Sequence, residues 1–235
     1  MRLVYASALA IGLAVVMSTA PTAQGQDQDR VVPGGGITAP GWKGMVDKSS
    51  ANFKHTVNDS KFVLAGNTIT MNIGPAAVYW NPANTASGDY TISASFSEPT
   101  YMTVNTHPHP YGIFIGGKNM DTDQMSLLYC TAYGDGSFLV RGFSPTATPS
   151  GVFTVGRKTP SPAVHKAEAI GKPVTQDISV SVKGDNVSCS INGTEIWTAP
   201  KASVIGAGKL DSTDGIYGLR TSHNVDVIVT NFKKS

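Results

Sequence analysis

Apolar and polar residues alternate one for one along most of this chain, and a period of two marks a strand with one buried and one wet face. The cleanest case is residues 90–97, where Tyr90, Ile92, Ala94 and Phe96 interleave with Thr91, Ser93, Ser95 and Ser97. In residues 68–73, Ile69, Met71 and Ile73 share a face; Gly74-Pro75 ends that strand, and residues 76–80 start another. Residues 61–64 read as a short edge strand. Residues 111–115, 126–133 and 137–143 continue the pattern, and Gly134-Asp135-Gly136 joins the last two as a hairpin.

Residues 177–232 carry five strand signals in succession. Ile178, Val180 and Val182 alternate with Ser179, Ser181 and Lys183; after Gly184-Asp185, Val187, Cys189 and Ile191 alternate with serines. Asn192-Gly193 then supplies the two positive-φ positions of a tight hairpin before residues 195–198. Residues 215–220 and 225–232 complete the set, and short turns predict one antiparallel meander of all five. Residues 143–175, rich in Pro, Ser and Thr, hold one weak strand at 152–155 and at most a turn or two of helix at 162–170. Past the N-terminal stretch no window shows a period of 3.6. Eleven to thirteen short strands therefore predict an all-β fold, a two-sheet antiparallel jelly-roll sandwich.

The N-terminus departs from this pattern. Met1-Arg2 precedes an apolar run over residues 3–16 and then small residues ending in Ala23-Gln24-Gly25, the layout of a secretory signal peptide. Residues 1–25 are expected to be cut off, leaving no transmembrane segment and a protein that is secreted or periplasmic. Residues 26–41, rich in Gln, Asp, Gly and Pro, read as a flexible leader, and residues 42–235 as the sandwich domain.

The whole chain has 18 Lys+Arg against 16 Asp+Glu, and loss of Arg2 with the signal peptide leaves the two signs almost balanced. No Lys or Arg occurs between Phe62 and Gly117. The basic footprint of a nucleic-acid-binding protein is therefore missing. Cys130 and Cys189 both fall on the apolar side of their strands; an oxidising compartment permits a disulfide, a large core does not require one, and the pairing stays open. The oligomeric state is not written in the sequence.

Catalytic signatures are sparse. The three glutamates, Glu98, Glu168 and Glu195, stand singly, so no strand carries the paired carboxylates of a retaining glucanase. A Gly-x-Ser-x-Gly elbow, an HExxH helix, a Walker loop and a Cys-x-x-Cys pair are also missing. Two clusters have ligand chemistry. His107 and His109, spaced by Pro108, project to one side of an extended segment and suit zinc, with His223 as a third imidazole from the corner before the last strand. Asn119, Asp121 and Asp123 offer oxygens at alternate positions, which suits calcium; the same residues also serve as ordinary turn formers.

Several segments carry a family likeness. Residues 74–80 (GPAAVYW), 88–94 (GDYTISA), 110–117 (PYGIFIGG), 134–139 (GDGSFL) and the C-terminal GIYGLR at 215–220 with HNVDV at 223–227 resemble secreted bacterial proteins of the concanavalin A-like lectin/glucanase superfamily. Within it the chain is similar to laminin G-type domains and, more loosely, to the 3-keto-disaccharide hydrolase domain. The resemblance spans residues 42–235. It implies a jelly roll and a carbohydrate or glycan partner. Exposed aromatics that stack on a pyranose, with polar groups beside them, would supply the contacts: Tyr79 or Trp80, Tyr111, Arg220, His223 and Asn224, with Tyr133 and Trp197 as further aromatics. The expected function is a carbohydrate-binding or adhesion-type module without catalysis of its own. A glycoside-acting hydrolase or lyase is the second reading, and convergence of the three histidines with an acid would favour it.

Overall fold

In the computed structural model, which describes residues 28–147 and 151–235, sixteen strands build two sheets. In chain order they are β1 (Gly36–Thr38), β2 (Lys43–Val46), β3 (Lys61–Ala65), β4 (Thr68–Ile73), β5 (Ala77–Ala86), β6 (Tyr90–Glu98), β7 (Tyr111–Lys118) and β8 (Ser126–Ala132). Then follow β9 (Ser137–Phe143), β10 (Val152–Thr154), β11 (Thr159–Pro160), β12 (Val174–Lys183), β13 (Asn186–Ile191), β14 (Thr194–Pro200), β15 (Gly215–Thr221) and β16 (Val225–Lys234). Among the described residues a single α-helix of five residues, α1 (Lys48–Asn52), follows β2. The signal-peptide expectation falls outside the described residues. Among the described residues no helix is long and apolar enough to cross a membrane.

The first sheet runs β1-β3-β4-β16-β6-β12-β13-β14, and the second runs β10-β9-β8-β7-β15-β5-β2 with β11 also on β9. Apart from the parallel pair β1/β3, the ladders are antiparallel. The period-two alternation holds in the first sheet: β6 buries every second residue from Tyr90 to Glu98, and β12 does the same from Val174 to Val182. Its buried faces meet Tyr79, Tyr111, Ile113, Ile115, Leu128 and Cys130 of the second sheet in the main core. The central strands of the second sheet are buried on both faces. Val78, Trp80, Phe114, Leu127 and Tyr129 form a separate outer cluster with Met120, which is why β7 and β8 read as near-continuous apolar runs.

Four expectations need correction. The five C-terminal strands are not one meander: β12, β13 and β14 are neighbours, but β15 crosses to the second sheet and β16 returns to lie between β4 and β6. Alternation and turn length fix a strand and its local partner, not the sheet to which the long connection at residues 201–214 delivers the next strand. Residues 28–41 are not a loose leader, since Gly36–Thr38 pairs with Lys61–Val63 and so takes β3 off the sheet edge. Strand β5 runs past Trp80 through Pro82, tolerated because β2 covers only residues 77–80 and the β15 register shifts opposite that stretch. Strand β2 was not anticipated at all.

The cysteine question is settled by geometry. Cys130 of β8 and Cys189 of β13 form a disulfide that ties the two sheets face to face.

Candidate metal centre

Register brings the histidines together. Tyr111, the first residue of β7, pairs with Thr221, the last of β15. In an antiparallel ladder the residues just before one and just after the other leave the sheet side by side at the same end. His109 and His223 each stand two residues beyond that pair. The backbone N–H of Ser222 donates to the Pro110 carbonyl at 2.8 Å and closes the corner. Asn224 takes φ 48°, a left-handed conformation that Asn tolerates, and its N–H donates to the Gly74 carbonyl at 2.8 Å. On the other side, the Asn105 amide donates to the Asn224 carbonyl at 2.8 Å and holds the loop that carries His107.

One potential ligand atom from each of His107, His109 and His223 lies within 4.8 Å of the others, the only such group of three among the described His, Cys, Asp and Glu residues. His109 is buried, His223 half-buried and His107 exposed, so the cluster has one open side. The His109 Nδ1 meets the His223 carbonyl, which can only accept, so that nitrogen carries the proton and the lone pair of a neutral ring sits on Nε2. That Nε2 lies 2.9 Å from Nε2 of His107. Two imidazole nitrogens this close share a proton in the metal-free protein; a cation between or beside them would replace it.

An acid completes the group. Asp29 places Oδ1 2.9 Å from Nδ1 of His223, an ion-pair distance without the alignment of a hydrogen bond, and its other oxygen accepts a hydrogen bond from the Ser50 hydroxyl at 2.6 Å. A second acid lies at the same end: Glu98 closes β6 and is buried, with Oε2 lacking a hydrogen-bond partner. Burial pushes its carboxyl up to about 7, against a backbone N–H bond from Met102 that pulls it down and a nearby Asp226 that adds to the rise. Tyr111 Oη and Asn105 Oδ1 are likewise buried without partners. Sequence reading missed Asp29, hidden in a polar stretch taken for a leader, and Glu98, which looked like an isolated acid.

The aromatic candidates are placed differently from expectation. Tyr79 and Tyr111 have no exposed surface and Trp80 has 2%. Tyr79 stacks on Phe62 in the main core, Tyr111 stacks on Phe96, and Trp80 lies in the outer cluster, so neither face of their strands offers a ring to a sugar. Tyr133 is buried beneath the Lys158 ammonium, and Trp197 packs on the core edge. Arg220 is committed as well, forking onto both oxygens of Asp47 and lying over the rings of Tyr129 and Phe143. Asn224 uses its side chain to bind the N–H of Arg30 and the carbonyl of Gln28, each at 2.9 Å.

In the 119–123 loop the two acids have partners of their own. Asp121 pairs with Lys43 at 3.1 Å, which with its hydrogen bonds holds that carboxyl below the usual range. Asp123 accepts from the Gln124 amide, and Asn119, at φ 51°, accepts the Thr122 N–H and hydroxyl at its carbonyl. These are the bonds of a turn.

Beside this loop lies a cleft of about 420 Å³. Met45, Met125 and Phe143 supply apolar wall, and Asp47, Lys48 and Asn52 polar groups. Helix α1 separates it from Asp29, with Ser50 its one buried residue.

No family model and no curated protein matches the chain. Solved structures do. The carbohydrate-binding module CBM66 from Bacillus subtilis superposes with a TM-score of 0.52 at 10% identity, over 85% of this chain and 96% of that one. A Bacillus subtilis protein of unknown function with a galectin-like fold gives 0.54 at 13%, over 82% and 88%. A GH16 protein of the Bacteroides ovatus mixed-linkage glucan locus, in complex with a G4G4G3G product, gives 0.54 at 9%, over 83% and 95%. The chain thus has the concanavalin A-like jelly-roll fold that its sequence motifs resemble.

Proposed function

We propose that this protein is an exported glycan-binding sandwich whose binding centre is a zinc-type cation held by His107, His109 and His223. The observation that carries the reading is the convergence of these imidazoles at one end of the β7/β15 pair, with one side open. Imidazole nitrogen suits zinc and its neighbours in the transition series, whereas calcium demands oxygen. Three protein ligands leave a position free, and a bound cation would act there as a Lewis acid toward sugar hydroxyls. The nearby cleft, with apolar wall and scattered polar groups, has the character of a saccharide subsite. Likeness to a carbohydrate-binding module and a glucan-bound protein supports the class of partner, since fold alone does not assign function.

Calorimetric titration of the chelator-stripped domain with zinc at pH 7.5 and pH 5.5 tests this reading. Micromolar binding is expected at the higher pH and loss at the lower, because ligating imidazoles must be deprotonated. His107→Ala and His223→Ala should each abolish it, while calcium should not substitute. Glycan arrays with zinc and with chelator then ask whether sugar binding follows the metal. No heat with zinc, or binding indifferent to both substitutions, would end the proposal.

The open coordination position and the acid beside the histidines also favour the second reading, a glycoside-acting hydrolase or lyase. Shortened products from any glycan retained on the array would move the protein to that class.

A further inference from the structure

The segment Gln28–Arg30 is bolted to the histidine corner by bonds that a passive leader has no need of. Asn224 grips it from both sides, accepting the Arg30 N–H and donating to the Gln28 carbonyl. The Arg30 guanidinium donates through Nε to the Ile73 carbonyl at 2.9 Å and through Nη2 to Asp226, which Asn72 also holds at 3.0 Å. Farther along, the Val32 N–H donates to the Asp59 carbonyl at 2.9 Å. Between these anchors stands Asp29, with one carboxylate oxygen on Nδ1 of His223 and the other on the Ser50 hydroxyl. The Ser50 hydrogen bond fixes one oxygen, and the other stands at ion-pair distance from His223.

We infer that this strap is a working part of the metal centre: Asp29 is a positioning residue that orients His223 and sets its tautomer, and Ser50 of α1 holds Asp29 in place. The inference rests on the proposed metal centre and adds a part that the three histidines do not contain. A carboxylate oxygen 2.9 Å from Nδ1, although out of line for a hydrogen bond, favours the proton on that nitrogen by its charge, which leaves Nε2 of His223 as the ligand nitrogen. His109 is treated in the same way by a backbone carbonyl. Two of the three imidazoles thus have an acceptor beside their outer nitrogen, hydrogen-bonded in His109 and at ion-pair distance in His223, as ligating histidines do and solvated surface histidines need not.

The centre is therefore assembled from three distant pieces of chain. The loop after β6 brings His107 and His109, the β15–β16 corner brings His223, and the strap brings Asp29. The strap is anchored through Gln28, Arg30 and Val32, so replacing the Asp29 side chain should weaken the metal without releasing the strap or unfolding the sandwich.

Zinc affinity of the chelator-stripped protein carrying residues 26–235 is measured by competition with a chromophoric chelator for the parent, Asp29→Asn, Ser50→Ala and Asp185→Asn. Cobalt spectra are recorded at saturation for each. Asp29→Asn should lower affinity about 10- to 100-fold, the usual loss when an outer-shell partner is removed. It should also change the cobalt bands while the denaturant midpoint of the metal-free protein stays with the parent. Ser50→Ala should act in the same direction and less, and Asp185→Asn, in the turn between β12 and β13, should match the parent. An Asp29→Asn protein with parental zinc affinity and parental cobalt bands would overturn the role of Asp29 while leaving the metal centre standing. A drop in affinity matched by an equal loss of metal-free stability would also overturn it, by making Asp29 an anchor only. No zinc uptake by the parent would remove the metal centre itself and this role with it.

Discussion

A buried acid with an unsatisfied oxygen is the residue whose behaviour is easiest to test apart from any ligand. Glu98 titrates near its ordinary 4.5 in an unfolded chain and at about 7 when burial strips water from its carboxylate. The folded state therefore holds a proton that the unfolded state has lost between those two values. Its contribution is fully present below pH 4.5 and lost as pH rises through 7, on the order of 3 kcal/mol for a shift of this size. Glu98→Gln should remove that slope: relative to the parent, the variant gains stability between pH 5 and pH 8, read from urea midpoints across the range. A constant difference at every pH would mean that Glu98 is solvated. In sequence the residue was one of three isolated acids, because burial of a strand-end carboxyl under a neighbouring loop leaves no local mark.

At the scale of elements the hairpins were the most legible feature, because their demand is local. Asn192 and Gly193 take φ 50° and 81°, the two positive values expected of the turn between β13 and β14. A Cβ added at Gly193 would meet nothing within 4 Å, so the cost of a larger residue there is backbone strain alone. Gly193→Val should destabilise by about 1–3 kcal/mol in denaturant unfolding. A change within about 0.3 kcal/mol, the size of an ordinary surface substitution, would show that the turn relaxes freely. Asn192 has a second task, since its side chain bonds the Asp177 N–H, the Ala163 carbonyl and the Gln176 amide oxygen and so ties the turn to the long 163–176 connection. The same local logic misplaced β15, whose alternation is sound but whose partner strands lie more than 90 residues away.

For the molecule as a whole, the disulfide spans 59 residues and joins the two sheets through the main core. Closing a loop of that length in the unfolded chain stabilises by about 4 kcal/mol in the entropic account, with 2–4 kcal/mol typical of measured bonds. Replacing both Cys130 and Cys189 by Ala should lower stability by that amount or slightly more, since two buried side chains also shrink. Unfolding that is the same with and without reductant, after the unfolded protein has been reduced, would remove the bond from the account.

The sequence by itself determined the strands, most of the turns, the absence of a helical layer among the described residues and the motifs that point to a jelly roll. Each depends on residues a few places apart: a period of two for the strands, a tolerance of positive φ for the turns. It also marked His107, His109 and His223 as a possible ligand set from residue chemistry. What only the tertiary structure decided was contact between segments far apart in the chain. Pairing of Tyr111 with Thr221 brought the histidines together, docking of Gln28–Arg30 on Asn224 added Asp29, and passage of β15 into the second sheet fixed the topology. Tyr79, Trp80 and Tyr111 lost their candidacy for the complementary reason. Alternation tells which residues share a face of a strand, but whether the other face is wet depends on what packs over it, and at the centre of the second sheet both faces are covered.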